Sequence, residues 1–554
     1  MRGSGGQPQP WVAALAAALA EALPRLHGAD ADPLVAELTT ALTAALSRGE
    51  LELDLDREAP AEVCAEAWPQ EHRQALQRSV LCRDPDGPLA LEGSRLQWRR
   101  WQRQRRQVID ALIDRASSLP PQAAAQPQDS LPLGPLPLGT RQREAVAAVL
   151  QHRLVLLEGG PGTGKTSTVA AMIAALQGRE PGARIHLAAP TGKAAARLRS
   201  ATGGAVPCTT LHRLLESRGE RFARHRGRPL HLDLLVVDEV SMVDLNLIAA
   251  LLEALPASCR LVLVGDPAQL PPIAPGSVLQ ELQQPEHRRR LGAAAITLDT
   301  TYRNAGAIAA VAAVLRRAIA AGPEAARQAP VTLIRPLLLQ LEESDNLRWR
   351  PCSGQSLPAD VVERLRAHQA SLALRAERCL PGSAQGCRDL LAERDRLLVM
   401  APQRQGRWGL EAIHRVLLGS RLEGELQDLP AGTPVLCRRN LPELGLANGD
   451  VGVLVGGPGP SARLLFGDGD GEGIWIHPGQ LAGAAEPALA LTVHKAQGSE
   501  AEEVIVLFPS GPHQDGRLLY TALTRARAGA LLLTATADDP SGEADGNRND
   551  IGDD

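Results

Sequence analysis

The stretch Leu154-Val155-Leu156-Leu157-Glu158-Gly159-Gly160-Pro161-Gly162-Thr163-Gly164-Lys165-Thr166 gathers residue types that handle phosphate. Gly159, four intervening residues, then Gly164, Lys165 and Thr166 match the full P-loop spacing. Glycines let the backbone N–H groups turn inward onto phosphate oxygens, and the helix that follows adds its positive dipole end. Lys165 can reach the β and γ phosphates, and the Thr166 hydroxyl can ligate Mg²⁺. The apolar run before the loop reads as a buried strand, and the Ala-rich pattern from Ser167 onward as a helix. That order separates it from an ordinary Gly-rich turn and points to a nucleoside triphosphate. The nucleotide set is Glu158, Gly159, Gly160, Pro161, Gly162, Thr163, Gly164, Lys165 and Thr166, with Gln142 upstream, whose amide suits an adenine edge.

A second apolar run, Leu234-Leu235-Val236-Val237, ends in Asp238-Glu239. Asp238 can hold Mg²⁺ and Glu239 can orient and deprotonate an attacking water. A third, Leu261-Val262-Leu263-Val264, delivers Gly265-Asp266-Pro267-Ala268-Gln269, where Gln269 can sense a γ-phosphate. Between them, Ile185 to Ala189 leads into Pro190-Thr191-Gly192-Lys193, a strand-to-helix turn suited to a nucleic-acid phosphate backbone. His212, taken alone, reads as a packed or capping histidine.

These residues need alternating strands and helices to position them, which makes the chain α/β. At 554 residues it has room for about three or four domains. Net charge is −4, so any nucleic-acid surface must be local. Lysine plus arginine total 59, yet only three are lysines: Lys165, Lys193 and Lys495. Arginine's planar fork cannot replace a compact ammonium beside phosphate, so the surviving lysines mark positions that chemistry held fixed. The eight cysteines are scattered with no CxxC pair, as expected for core residues of a reduced, cytoplasmic protein without zinc. No apolar run approaches the length of a membrane span.

Residues 1–125 read as mostly helical, with a short strand at Pro88–Gly93. The segment Arg95 to Arg106 interleaves arginine with Trp98 and Trp101. It reads either as a stacking surface for nucleic acid or as a segment with its tryptophans packed inward. Residues 126–139 have linker composition, and Thr140 is placed to cap the helix that follows. Arg396 to Pro402 reads as a strand. Residues 416–485 turn to short β-like runs, with Asn448-Gly449 as a hairpin signal. Residues 537–554 form an acidic tail of disordered composition.

Gly265 to Pro272 and the preceding Asp238-Glu239-Val240-Ser241-Met242-Val243-Asp244 resemble superfamily 1 DNA helicases of the B group. More narrowly they resemble the RecD family, the alpha subunits of bacterial RecBCD (exodeoxyribonuclease V) complexes. The likeness continues through Leu298 to Arg303, Ala490 to Glu500 and Leu519 to Arg527. It implies two RecA-like P-loop domains, at 140–300 and at 301–415 with 486–536. It also implies an SH3-like β insertion at 416–485 and a partner-docking N-terminal domain. By the same resemblance Gln142 reads adenine, Arg303 is an arginine finger and Arg525 meets the γ-phosphate. Pro190, Thr191, Lys193 and His212, with Thr492, His494, Lys495 and Gln497, line or couple a DNA track. The implied activity is ATP-dependent 5′–3′ translocation on single-stranded DNA in double-strand break repair and recombination. The implied partners are duplex-end DNA and the beta and gamma subunits, RecB-like and RecC-like, in a heterotrimer. Ile413-His414 stands where the family has Leu-Asn. A stand-alone RecD-like helicase and an inactive structural ATPase are the alternatives; intact Lys165, Asp238, Glu239, Arg303 and Arg525 argue against the second. The residues two before the lysines are Thr163, Thr191 and Val493, so the acid-x-Lys pair of a RecBCD-type nuclease is absent from the sequence.

Overall fold

The computed structural model describes residues 10–118, 138–219, 221–301, 306–322, 325–326, 329–354, 356–467, 473–509 and 515–535. The anticipated linker lies mostly, and the acidic tail wholly, outside these. Two all-parallel sheets carry the molecule. The first has six strands in the order Ala295–Leu298, Leu154–Gly159, Arg260–Gly265, Leu234–Val237, Ile185–Ala189, Cys208–Thr210. Its central strands are buried on both faces, as strands sandwiched between helices must be, and apolar apart from Glu158 and Arg260 near their ends. The second has five, in the order Leu347–Cys352, Ala526–Ala535, Ala501–Phe508, Leu397–Ala401, Leu491–Thr492. Parallel strands present their following loops at one edge, and the phosphate-handling segments lie at that edge of the first sheet.

Inserted before the last strands of the second sheet is a five-stranded antiparallel unit with its own core, from Pro434–Cys437 to Ala485–Pro487. Gly432 (φ +82°) lets it close on the helix Ala359–Arg378, where any Cβ would collide with the Ala373 backbone. Asn448-Gly449 turns the chain into Val451–Val455, with Gly449 at φ +96°, but it closes a longer excursion from Cys437 rather than a two-residue hairpin.

The N-terminal region combines helices, among them Pro10–Leu26 and Pro33–Ser47, with a three-stranded antiparallel sheet. Trp98 and Trp101 pack inward, Trp98 on the N-terminal core and Trp101 on the core of the first sheet. The packed reading of that arginine-rich segment is therefore the correct one. Arg105 ties the helix Arg99–Ser117 to the N-terminal sheet through Glu52 and to the first large sheet's half through Glu281, and Arg115 adds bonds to the Cys259, Leu255 and Pro256 carbonyls. The expected Thr140 cap is replaced: the helix starts at Thr140, and the Gly139 N–H donates to Gln142 Oε1 at 2.9 Å. Five cysteines are buried as expected, but Cys64 is exposed and Cys82 and Cys352 only half-buried.

His414 has a structural role. It lies buried on the helix Leu410–Leu418, and the Ala490 N–H donates to its Nε2 at 3.3 Å, tying the insertion's exit to the second sheet. Burial pushes its pKa down to about 4. A histidine held neutral in the fold stabilises it fully above its unfolded value, near 6.5, and loses that contribution as pH falls toward 4. His414→Asn, which can still accept from Ala490 but cannot titrate, should remove roughly 3 kcal/mol of acid-side destabilisation between pH 6.5 and 4. Urea unfolding of both proteins across that range measures it, and superimposable pH profiles would refute the assignment.

Candidate functional site

The phosphate loop leaves its strand at Gly159 and enters the helix Lys165–Arg179 through Gly164, whose φ of +81° suits glycine. A Cβ on Gly159 would stand 2.5 Å from Thr163 Oγ1, so the close fold of the loop needs glycine there. Thr163 Oγ1 donates to Gly160 O at 2.9 Å, and Lys165 Nζ donates to Gly159 O and Gly160 O at 2.6 and 3.0 Å. Gln142 lies against the far end of the loop, with Nε2 donating to Gly164 O at 3.4 Å. Glu158, the last acid before the loop, is committed elsewhere. Its buried carboxylate pairs with Arg288 at 2.6 Å and accepts from Gln283 and Thr297, leaving only its backbone to the loop. Burial raises its pKa against the pull of Arg288.

Two strands away, Asp238 and Glu239 follow Leu234–Val237, both nearly buried. Glu239 takes the left-handed conformation, φ +52°, and its N–H donates to Asp238 Oδ1 at 2.8 Å. Burial, then the neighbouring Glu239 charge, raises Asp238 to about 6, opposed by Arg197 and Lys165. Adjacent buried carboxylates of this kind call for a cation, which fits a divalent metal held with a hydroxyl such as that of Thr166. The intervening strand Arg260–Gly265 delivers Asp266 and Gln269. Gln269 is buried, and among the described residues its Oε1 has no hydrogen-bond partner.

The second sheet closes this edge. Tyr520 Oη donates to Asp266 Oδ2 at 2.7 Å, with its pKa raised by burial and then by the Asp266 charge. The Leu270 N–H donates to Thr521 Oγ1 at 3.0 Å, and Gln497 Nε2 donates to Leu270 O at 3.0 Å. Arg525 is buried beside them, its Nε on Thr521 O at 3.1 Å. Arg303 lies outside the described residues. Sequence reasoning missed Arg316, on the helix Ala307–Ala321. It pairs with Asp299 at 3.5 Å, and its Nη1 would stand 3.4 Å from a Cβ on Gly160. An arginine on an alanine-rich helix carries no signal of its own.

Of the anticipated nucleic-acid set, Thr191 caps the helix Gly192–Ala201, and Lys193 Nζ reaches across to Ser499 Oγ at 3.0 Å. Burial, then Arg394, holds Lys193 down to about 8. Thr492 Oγ1 accepts from the Lys495 N–H, and Lys495 Nζ donates to Asn448 Oδ1 at 3.0 Å, on the turn of the inserted unit. Asp450, in the same turn, sits where Gly192 leaves room, 2.6 Å from an imagined Cβ. Pro190 is partly buried at the strand end. His212 lies in the short helix Leu211–Leu214 with its ring 6.2 Å from Phe222. Burial lowers the pKa of both His212 and His494.

Two RecA-like sheets meeting over a phosphate loop, with an acid pair beneath it, define a P-loop DNA helicase with ATPase chemistry. Residues 142–275 match the model for the AAA domain, and residues 487–533 that for the UvrD-like helicase C-terminal domain. The RecBCD enzyme subunit RecD of Mycolicibacterium smegmatis is 36% identical over 511 residues, covering 85% of this chain and 84% of the relative. Its Mycobacterium tuberculosis counterpart is 33% identical over 85% of this chain and 82% of its own length. The ATP-dependent RecD2 DNA helicase of Deinococcus radiodurans is 32% identical over 70% of this chain, matched over 48% of its own. The chain belongs to the RecD family. Among the described residues no helix is long and apolar enough to cross a membrane.

The Tyr520–Asp266 bond ties the two halves together at the nucleotide edge. Tyr520→Phe leaves a buried carboxylate short of a donor and should cost about 2 kcal/mol of stability. Denaturant unfolding measures it, and an unchanged midpoint would show that the bond contributes nothing.

Proposed function

We propose that the chain is the ATP-driven, 5′–3′ translocating subunit of a RecBCD-type helicase–nuclease that works on DNA ends in double-strand break repair. The observation that carries this reading is the shared edge: the first sheet supplies the phosphate loop and acid pair, and the second half sets Tyr520 and Arg316 against it, with Arg525 buried behind Thr521. Its assignment to a complex rests on relatives bearing the RecBCD subunit name, matched over most of both lengths. The RecD2 relative supports a stand-alone helicase as the second reading.

In this mechanism the P-loop backbone and Lys165 hold the triphosphate and Gln142 meets the adenine. Thr166 and Asp238 would hold Mg²⁺, which offsets phosphate charge when bound. Glu239 takes the proton of the attacking water and Gln269 senses the γ-phosphate. Arg525, with Arg303, neutralises charge that develops on the transferred group, which requires the two halves to be closed. Closure in the nucleotide-bound state and release after hydrolysis then move single-stranded DNA along Thr191, Lys193, Thr492, His494 and Lys495. Residues 1–125 dock the RecB-like and RecC-like partners, with 140–300 and 301–415 plus 486–536 as motor domains around the 416–485 insertion.

Single-stranded-DNA-stimulated ATP hydrolysis tests the reading, with the chain alone and with RecB-like and RecC-like subunits. Lys165→Gln should lower the stimulated kcat by about 100-fold or more. A requirement for partners favours the complex subunit, and full activity alone favours the stand-alone helicase. Absence of DNA stimulation in both settings would sink the motor.

A further inference from the structure

Arg197 lies one turn beyond Lys193 on the helix Gly192–Ala201, so the two side chains share a face. Both reach consecutive residues of the second half: Lys193 Nζ donates to Ser499 Oγ at 3.0 Å, and Arg197 Nη1 pairs with Glu500 Oε1 at 2.7 Å. The other arm of the same guanidinium, Nη2, lies 3.8 Å from Oε1 of Glu239. Arg527 Nε holds the second oxygen of Glu500 at 3.0 Å, so that carboxylate is fixed from both sides. The enclosure is tight, with side-chain exposures of 33% for Arg197, 9% for Glu239 and 13% for Glu500. Burial opposes the Arg197 charge, but Glu239, Glu500 and Asp238 outweigh it.

One fork therefore spans the carboxylate next to the Mg²⁺ position and a carboxylate in the segment that includes Lys495. Because Ser499 and Glu500 are adjacent, a movement of this segment against Lys193 is also a movement against Arg197. A guanidinium shared between two carboxylates cannot hold both at short range once they separate, so its grip on Glu239 depends on where Glu500 stands. We propose that Arg197 is a positioning residue that sets the Glu239 carboxylate according to the position of Ser499-Glu500, so that events at Lys193 are felt at the hydrolytic acid. This rests on the reading of Glu239 as the water-activating acid and Lys193 as a phosphate contact.

The test uses the full chain, with any partner subunits it requires, and Arg197→Gln, Arg197→Lys, Glu500→Gln and the Arg197→Gln/Glu500→Gln double variant. ATP hydrolysis with and without oligothymidylate gives the stimulation ratio. KM for ATP and anisotropy of labelled oligothymidylate report binding separately. Each single variant should lower the ratio by about 10-fold, the range of a site-to-site coupling, with KM and DNA affinity within about 3-fold of the parent. The double variant should be no worse than Arg197→Gln, because both break one bridge. A ratio preserved in Arg197→Gln overturns the proposal. So does full stimulation in Arg197→Lys, where a single ammonium replaces the fork, and so does a loss that merely tracks DNA affinity. If Arg197→Gln fails to fold, Glu500→Gln decides from the other side of the bridge. Failure of the underlying reading looks different: the parent chain itself would show no stimulation, or Lys165→Gln would hydrolyse ATP like the parent.

Discussion

Two carboxylates on consecutive residues at the end of a buried strand are the constraint on which the site depends. Water cannot screen Asp238 and Glu239 where they lie, so burial and mutual repulsion push Asp238 up to about 6. The arrangement persists only if cations stand close, and the parallel sheet brings them. The phosphate-loop strand and the acid strand flank Arg260–Gly265, so Lys165 and the acids leave the same edge with Asp266 between them. Arg197 arrives from the helix after the neighbouring strand Ile185–Ala189. Because the strands run parallel, the loops that follow them share one edge, which sets these positions together.

Besides the Lys193–Ser499 and Arg197–Glu500 contacts, one loop of the first half carries apolar side chains into the second. Ala268 and Leu270, which follow Asp266, are buried in the hydrophobic core of the second half rather than the first. Burying two such side chains in a neighbour's core stabilises the contact by a few kcal/mol, about 25 cal/mol per Å² of apolar area. Around them Tyr520, Thr521 and Gln497 satisfy the polar groups the loop carries in. A segment rooted in one sheet and packed into the other must feel any change in their separation. Gln269, buried inside that segment with an Oε1 unpaired among the described residues, stands where the two halves pack together.

Much of this was legible in the sequence because it depends on short-range pattern. Apolar runs punctuated by glycine gave the parallel strands, and Gly-x₄-Gly-Lys-Thr and Asp238-Glu239 needed only neighbours. What escaped depends on pairs brought together by the fold. Glu158 sits inside the phosphate-loop motif, yet its carboxylate answers to Arg288, far along the chain. Arg197, opposite the second half, and Arg316, opposite the phosphate loop, look like ordinary solvated arginines until the two halves meet. The Thr140 cap was a fair local inference, but the helix starts one residue earlier, with Gly139 at the cap and Gln142 Oε1 reaching back to its N–H. His414 stands where the family has an asparagine, and only its contact with Ala490 explains how an imidazole can serve there.

The scarcity of lysine acquires a physical meaning from the partners the lysines keep. Many arginines pair with carboxylates, Arg197 and Arg527 with Glu500, Arg404 with Glu486, Arg105 with Glu52 and Glu281, while others such as Arg115 and Arg525 fix backbone carbonyls. Each of the three lysines instead donates to a neutral oxygen: Lys165 to the loop carbonyls, Lys193 to the Ser499 hydroxyl and Lys495 to the Asn448 amide. A hydrogen bond from an ammonium to a neutral oxygen contributes roughly 1.5–3 kcal/mol net, and a phosphate oxygen carrying negative charge is the stronger acceptor. An incoming phosphate can therefore displace these partners without breaking an ion pair or leaving a buried carboxylate unpaired. Planar forks hold the architecture, while the compact ammonium groups are left on partners that can be exchanged.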